Sequence, residues 1–231
     1  MARGKKGKRA EICVYCDRVA VTRDHVPPKA IFPKPHPSTL VSVPCCRACN
    51  QAFSADDQYF SVTVPTRHDV EGNEGALQVM QTGLRGLFRP EAKGFRTAIL
   101  SRLETVNLVT PSGIFLGEGL RTEVDYERLD RVVRRTVRGL YFREYHARLP
   151  KTTQISAMID SSFNEAEVAA RNGRDRVVDW LRECPPRVIQ AGVFHYWHRL
   201  DNDSPENGAW LLVFYDRVWY LVTTASSERK Q

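Results

Sequence analysis

The sequence predicts an α+β fold in two parts, a short cysteine-bearing unit over residues 11–65 and a larger α+β domain over residues 66–231. The first part holds two Cys-x-x-Cys pairs around two short alternations of apolar and polar residues, and then a helical pattern. The second part combines helical periodicities with apolar runs between turn residues, which predicts several helices and antiparallel strands. A further boundary is expected near residue 125.

Composition and charge restrict the class of protein. The chain has 231 residues, of which 42% are hydrophobic and 26% charged, so it is long enough and apolar enough to bury a core. No apolar run approaches the ~18–20 residues of a membrane span. A signal peptide would carry an apolar stretch after its basic N-terminus, and this sequence has no such stretch there. We therefore expect no membrane contact and a cytoplasmic location.

Part of the net charge of +7 lies in a basic, flexible arm over residues 1–10. Such an arm suits a polyanion, because each phosphate that it neutralises releases counterions. A solubilising tail explains these charges equally well. The nucleic-acid interpretation assigns phosphate contacts to Lys5, Lys6, Lys8 and Arg9.

Five of the six cysteines lie close together near the N-terminus, and Cys184 stands far from them. Reduced thiols in a cytoplasmic chain favour a metal over disulfides, and two Cys-x-x-Cys knuckles are typical of a tetrahedral zinc site. Cys46 has the two-residue spacing to Cys49 that Cys45 lacks. Buried apolar thiols are the alternative. The predicted ligands of a structural zinc are Cys13, Cys16, Cys46 and Cys49.

The pattern around these cysteines predicts a strand, a loop, a second strand and a helix. The first strand alternates through Val21 and Arg23 and ends at Asp24-His25, before two prolines. The second strand, residues 39–44, leads to Cys46, and a helix follows from Arg47 until just before residue 65. Asn50 falls in the first turn of that helix. Zinc would stabilise a unit of this size, which is too short to fold by hydrophobic burial alone.

The stretch 13–60 resembles the zinc-bearing form of the HNH endonucleases, ββα-metal nucleases built on a treble clef. Their pattern is Cys-x-x-Cys, Asp-His, a loop and strand, and then Cys-x-x-Cys followed by Asn or His. By position, the resemblance implies that Asp24 and Asn50 bind a catalytic Mg²⁺ or Mn²⁺ ion and that His25 is the general base. It covers about a quarter of the chain.

The residue types suit hydrolysis of a phosphodiester bond, and the resemblance favours DNA over RNA as the substrate. An imidazole with an ordinary pKa of ~6.5 can take a proton from water near neutral pH. A hard divalent ion prefers oxygen ligands and keeps places open for water and phosphate. Zinc with four thiolates has no open place, so the two metals would have separate roles.

The resemblance has one departure and one alternative. HNH enzymes carry a middle asparagine at the start of the second strand, which helps to orient the general base. This chain has Thr39 there, whose hydroxyl could substitute in part as a hydrogen-bonding group. Taken singly, Asp24-His25 could be a surface turn and Asn50 a helix-capping residue. A non-catalytic zinc module that binds nucleic acid or a protein is therefore the alternative function.

The remaining sequence predicts ordinary α+β elements. Two helices separated at Pro90 precede a hairpin that turns at residues 111–113. A strand from residue 152, a helix over residues 164–184, a strand over 187–200 and a final hairpin around Asp216-Arg217 complete the chain. We expect this domain to position DNA or to bind a protein partner.

Between these elements, residues 126–149 predict one long helix with an apolar face that includes Leu129, Val133, Val137 and Leu140. A basic stripe follows another face at three- and four-residue spacing. A solvated surface and a phosphate-contacting surface explain the stripe about equally well, and the nuclease resemblance favours DNA contact. The stripe consists of Arg128, Arg131, Arg135 and Arg138.

Overall fold

The computed structural model describes residues 10–159 and 168–227, with side chains from residue 173 onward in the second range. Within these ranges, no helix combines the length and apolarity needed to cross a membrane. The architecture mixes α-helices with antiparallel sheets, as predicted. Nearly all of the predicted basic arm lies outside the described residues, including Lys5, Lys6, Lys8 and Arg9.

The N-terminal unit is a two-stranded hairpin followed by a helix. Strand β1 (Thr22–His25) pairs antiparallel with β2 (Ser42–Cys45), and helix α1 (Arg47–Thr63) follows directly. The order of elements is as predicted, and α1 begins and ends where the sequence indicated. Both strands are shorter than predicted, because Val19 forms only an isolated bridge with Ile12 and Thr39 lies in a turn before β2.

Two helices and a separate hairpin follow. The helices are α2 (Glu74–Leu87) and α3 (Lys93–Leu100), and the hairpin consists of β3 (Leu103–Val109) and β4 (Phe115–Thr122). All four elements confirm the sequence prediction. The hairpin pairs with no other sheet among the described residues.

The C-terminal part is a long helix and a five-stranded antiparallel sheet in the order β5-β9-β8-β7-β6, with a helix inserted after β5. The predicted helix from residue 126 ends early, because His146 adopts a left-handed conformation. The predicted strand over 187–200 is two strands, since the chain turns at Gly192. The elements are α4 (Tyr126–Tyr145), β5 (Gln154–Ile159), α5 (Val168–Arg182), β6 (Arg187–Gln190), β7 (Phe194–Leu200), β8 (Gly208–Phe214) and β9 (Val218–Ala225).

Helices cover both faces of the five-stranded sheet. Along β8, Trp210, Leu212 and Phe214 join the cluster that contains α4 and α1. The alternate residues Leu211 and Val213 pack in a second cluster with α5. Because both faces of β8 are buried, its sequence is a continuous apolar run rather than an alternation.

The N-terminal unit and the C-terminal sheet share one hydrophobic core. Phe60 of α1 packs edge-on against Phe214 of β8, with ring centroids 5.2 Å apart. Val64, Val133 and Val137 are fully buried in the same cluster. The predicted boundary at residue 65 therefore does not separate two independent cores, and α4 holds the N-terminal unit against the sheet.

Candidate functional site

The strongest candidate site is a cluster of four cysteine sulfurs at the base of the N-terminal unit. The Sγ atoms of Cys13, Cys16, Cys46 and Cys49 all lie within 4.8 Å of one another. Cys16 Sγ lies 3.6 Å from Cys46 Sγ and 3.7 Å from Cys49 Sγ. A zinc ion about 2.3 Å from four tetrahedral sulfurs would hold them about 3.8 Å apart. The sulfurs therefore fit a structural zinc.

Local backbone geometry brings the two cysteine pairs into place. Cys46 is the N-cap of α1, and its sulfur accepts a hydrogen bond from the backbone N–H of Cys49 at 3.4 Å. In the first pair, the N–H of Cys13 donates to the carbonyl of Arg18 at 2.9 Å and closes a tight turn. Each pair is thus preorganised by the backbone that carries it.

Cys45 lies outside the cluster, which confirms the choice of Cys46. Its thiol is fully buried and donates to the carbonyl of Cys46 at 3.4 Å. Burial raises the pKa of the Cys45 thiol to about 12. Cys45 is therefore a protonated, packed thiol beside the site.

Arg148, which follows α4, anchors the first cysteine pair, and no sequence pattern indicated this role. Its Nη1 donates to the carbonyls of Cys13 and Cys16 at 3.4 and 3.0 Å and to Asp17 at 3.2 Å. These contacts tie the first knuckle to a segment more than a hundred residues away.

Asn50 lies at the contact between α1 and β1. Its Nδ2 donates to Thr22 Oγ1 at 3.3 Å and to the carbonyl of Arg23 at 3.4 Å. Arg23 directly precedes Asp24, so the amide lies beside the peptide that leads into the predicted Asp-His pair. Asn50 also lines a cavity of about 490 Å³ between α1 and the hairpin.

Asp24 is buried and does not line that cavity. Its Oδ2 accepts a hydrogen bond from the Tyr15 hydroxyl at 2.7 Å and lies 3.5 Å from Arg135 Nε. Burial and the negative charge of Asp24 raise the pKa of Tyr15 well above its ordinary value, so the phenol remains a donor. The carboxylate of Asp24 is therefore poorly placed to share with Asn50 the coordination of an ion in the cavity.

Asp57, which the sequence did not single out, connects the cavity to Arg135. The guanidinium of Arg135 donates to Asp57 Oδ1 and lies over the ring of Phe53, 4.4 Å from its centroid. Burial raises the pKa of Asp57 to about 6, although the charge of Arg135 acts in the opposite direction. Asp57 lies seven residues after Asn50, two turns along the same face of α1.

His25 is the last residue of β1, and it does not line the cavity beside Asn50. It pairs with Ser42, whose hydroxyl accepts a hydrogen bond from Arg23, so these three side chains share one face. The imidazole makes no hydrogen bond with the described residues. Burial, with a smaller contribution from the positive charge of Lys29, lowers the pKa of His25 and keeps the ring neutral near neutral pH.

Thr39, at the position of the family's middle asparagine, contacts a different part of the molecule. Its hydroxyl donates to the carbonyl of Ile189 in β6 at 2.6 Å. The hydroxyl proton is therefore engaged with the sheet, and no hydrogen bond joins Thr39 to His25.

Three arginines of the α4 stripe pair with Asp56 or Asp57 of α1, which corrects the expectation of a solvated or DNA-contacting face for its buried and partly buried members. Asp56 accepts from Arg128 at 2.9 Å and from Arg131 at 2.7 Å. Arg135 is only 5% exposed. Arg138 donates to three backbone carbonyls at 3.1–3.3 Å. Phosphate contact stays a prediction for the half-exposed Arg131.

Comparison of the chain with known protein families, curated proteins and solved structures finds no match. The resemblance to HNH enzymes therefore rests on residues 13–60 alone. Of that resemblance, the structure supports the four-cysteine cluster that is compatible with zinc.

Proposed function

We propose that this chain is a metal-dependent phosphodiester hydrolase of the HNH type, acting on DNA, with a structural zinc at its four cysteines. One observation above all supports the proposal. The cysteine pairs join the base of a hairpin to the start of a helix, and the side chain of Asn50 contacts the peptide before Asp24. We therefore interpret the N-terminal unit as a zinc-bearing treble clef of the ββα-metal kind.

The proposal divides the chemistry among a few residues. Cys13, Cys16, Cys46 and Cys49 would fill every coordination place of zinc, so this ion would stabilise the unit and take no part in the reaction. A bound Mg²⁺ or Mn²⁺ ion would supply positive charge to the phosphate. The neutral imidazole of His25 would accept the proton of the attacking water. Tyr15 and the buried Arg135 each contact Asp24 and hold its carboxylate in one orientation.

A second candidate is a zinc module without catalysis, which binds nucleic acid or a protein. The burial of Asp24 and its contacts with Tyr15 and Arg135 favour this candidate, because that carboxylate already has a cationic partner. The β3–β4 hairpin further favours a protein partner, since Phe115 and Leu120 are exposed on it.

Cleavage of a supercoiled plasmid separates the two candidates. The zinc-loaded protein should nick the plasmid when Mg²⁺ or Mn²⁺ is added and should be inactive without either ion. Added zinc alone should not replace them, because the four thiolates leave no open place. A zinc-loaded protein that binds DNA and never cuts DNA or RNA with either ion would favour the non-catalytic module.

A further inference from the structure

The loop between β1 and β2 encloses another cavity against α1 and α2. This loop cavity has a volume of about 390 Å³. The loop supplies all the charged side chains of its described lining, and the two helices supply only small polar and apolar ones. The lining consists of Lys29, Ala30, Phe32, Pro33, Lys34, His36, Ser61, Val79, Thr82 and Gly83.

The charge of the loop cavity is positive. Lys29 and Lys34 are exposed, and their ammonium groups make no ion pair or hydrogen bond with the described residues. By contrast, the ammonium group of Lys151 pairs with Asp17. No acidic residue is among the described residues that line the cavity. Two free cations around a cavity without a carboxylate favour an anionic ligand.

The loop that carries these lysines is anchored to the core. Ile31 is fully buried, and Phe32 is buried beside it. The hydroxyl of Tyr215 donates to the carbonyl of Ile31 at 2.8 Å. Near the end of the loop, Thr39 makes its hydrogen bond to the sheet. Because the backbone is held in place, a ligand that binds Lys29 and Lys34 orders side chains but not the loop.

His36 adds a neutral hydrogen-bond donor to the lining. Burial and the positive charges of Lys29 and Lys34 lower the pKa of His36, so its ring is neutral near neutral pH. Its Nδ1 is buried and has no partner among the described residues. A buried N–H without a partner is rarer than a buried acceptor without one, which assigns the proton of the ring to Nε2.

Much of the wall between these polar groups is apolar. Phe32, Pro33 and Val79 contribute to it. A bare inorganic anion would leave this apolar surface unused, whereas a nucleotide combines a phosphate with the C–H face of a sugar. The lining therefore suits a phosphate together with the deoxyribose attached to it.

The loop cavity lies close to His25, the proposed general base. Lys29 follows His25 by four residues, directly after the two prolines that end β1. The positive charge of Lys29 contributes to the lowered pKa of both His25 and His36, so its ammonium group lies near both imidazoles. A strand whose phosphate is attacked beside His25 would therefore pass Lys29 next.

We propose that the loop cavity binds the DNA strand beside the scissile bond, with phosphates held by Lys29, Lys34 and the Nε2–H of His36. The apolar wall packs against the deoxyribose between these phosphates. This inference rests on the proposed function, because it makes the cavity a subsite for the same substrate. It concerns binding, so it can be tested without turnover.

The salt dependence of DNA binding tests the two lysines. The affinity of the zinc-loaded protein for a labelled DNA duplex is measured by fluorescence anisotropy at several salt concentrations, without Mg²⁺ or Mn²⁺. Lys29→Gln and Lys34→Gln should each lower the slope by about 0.9, the value of one phosphate contact. Lys29→Arg keeps the charge and should keep the slope.

Lys93→Gln is the matched control, because Lys93 is an exposed lysine of α3 outside the lining of the loop cavity. It should bind with the slope of wild type. An unchanged slope for the double variant of Lys29→Gln with Lys34→Gln would overturn the inference. An equal decrease for Lys93→Gln would also overturn it, since the contacts would then be spread over the surface.

The ring protons of the histidines report where the DNA lies. In proton NMR spectra, the resonance of His36, identified by its loss in His36→Gln, should shift when the duplex is added. The resonance of His68, whose side chain is 97% exposed, should stay in place. A duplex that binds and leaves the His36 resonance unchanged lies outside the loop cavity and would overturn the subsite.

Cleavage assays distinguish this inference from the proposed function. If the double lysine variant loses DNA affinity and no protein cuts DNA, the subsite stands and the nuclease proposal falls. If wild type cuts and the double variant binds and cuts equally well, the nuclease proposal stands and the subsite falls.

Discussion

Replacement of Arg135 by methionine should strongly destabilise the protein. Arg135 is 5% exposed and lies between two carboxylates, Asp57 and Asp24. Its guanidinium also stacks on Phe53. Methionine fills most of the volume and removes the charge, so the buried Asp24 and the partly buried Asp57 would lose their cationic partner.

The expected loss of unfolding free energy is about 3–5 kcal/mol, the cost of leaving one member of a buried ion pair uncompensated. Arg131→Met is the matched comparison on the same helix. Arg131 is 47% exposed, and its partner Asp56 keeps Arg128, so its loss should cost at most about 1 kcal/mol.

Urea unfolding of the zinc-loaded variants at neutral pH, followed by circular dichroism, measures both changes. The double variant Arg135→Met with Asp57→Asn should recover part of the loss, because it removes one of the uncompensated charges. Equal, small losses for Arg135→Met and Arg131→Met would refute the claim that Arg135 compensates buried charge.

The remaining predictions concern the zinc and the packing of α4. Metal analysis should find one zinc per chain. The Cys46→Ser variant should lose the zinc and unfold readily, whereas the Cys45→Ser variant should keep it. Equal zinc loss in both variants would contradict the ligand set. Gly139→Ala should lower stability by about 1–3 kcal/mol, because its Cβ would lie 2.5 Å from the buried Val26. Gly86 has open space around it, so Gly86→Ala should instead stabilise α2 by about 0.5–1 kcal/mol. Thermal unfolding that finds the Gly139→Ala variant more stable than the Gly86→Ala variant would refute the packing argument.

The features that the sequence predicted well are local ones. Cys46 and Cys49 are a turn apart, and their spacing alone fixes how their sulfurs point. The bounds of α1 follow from the N-cap at Cys46 and from Pro65 beyond its end. The strong apolar periodicity of α4 likewise predicted its buried face.

The features that the sequence did not predict depend on contacts between residues far apart in the chain. The helical spacing of the α4 arginines predicts a stripe, but not that Asp56 and Asp57, about seventy-five residues earlier, would face it. For the same reason the motif around Asp24 does not reveal that Tyr15 and Arg135 enclose its carboxylate. Pairings of this kind are set by tertiary packing, which periodicity does not report.

The cleavage rate of His25→Ala tests the central claim most directly. A general base acts in the transition state, so its loss should lower the rate by ~10²–10⁴ and leave zinc content and unfolding free energy near those of wild type. His68→Ala, which removes a histidine that is 97% exposed, should cleave as wild type does. His25→Ala protein that cuts DNA as fast as wild type would contradict the assignment of the HNH mechanism to this chain.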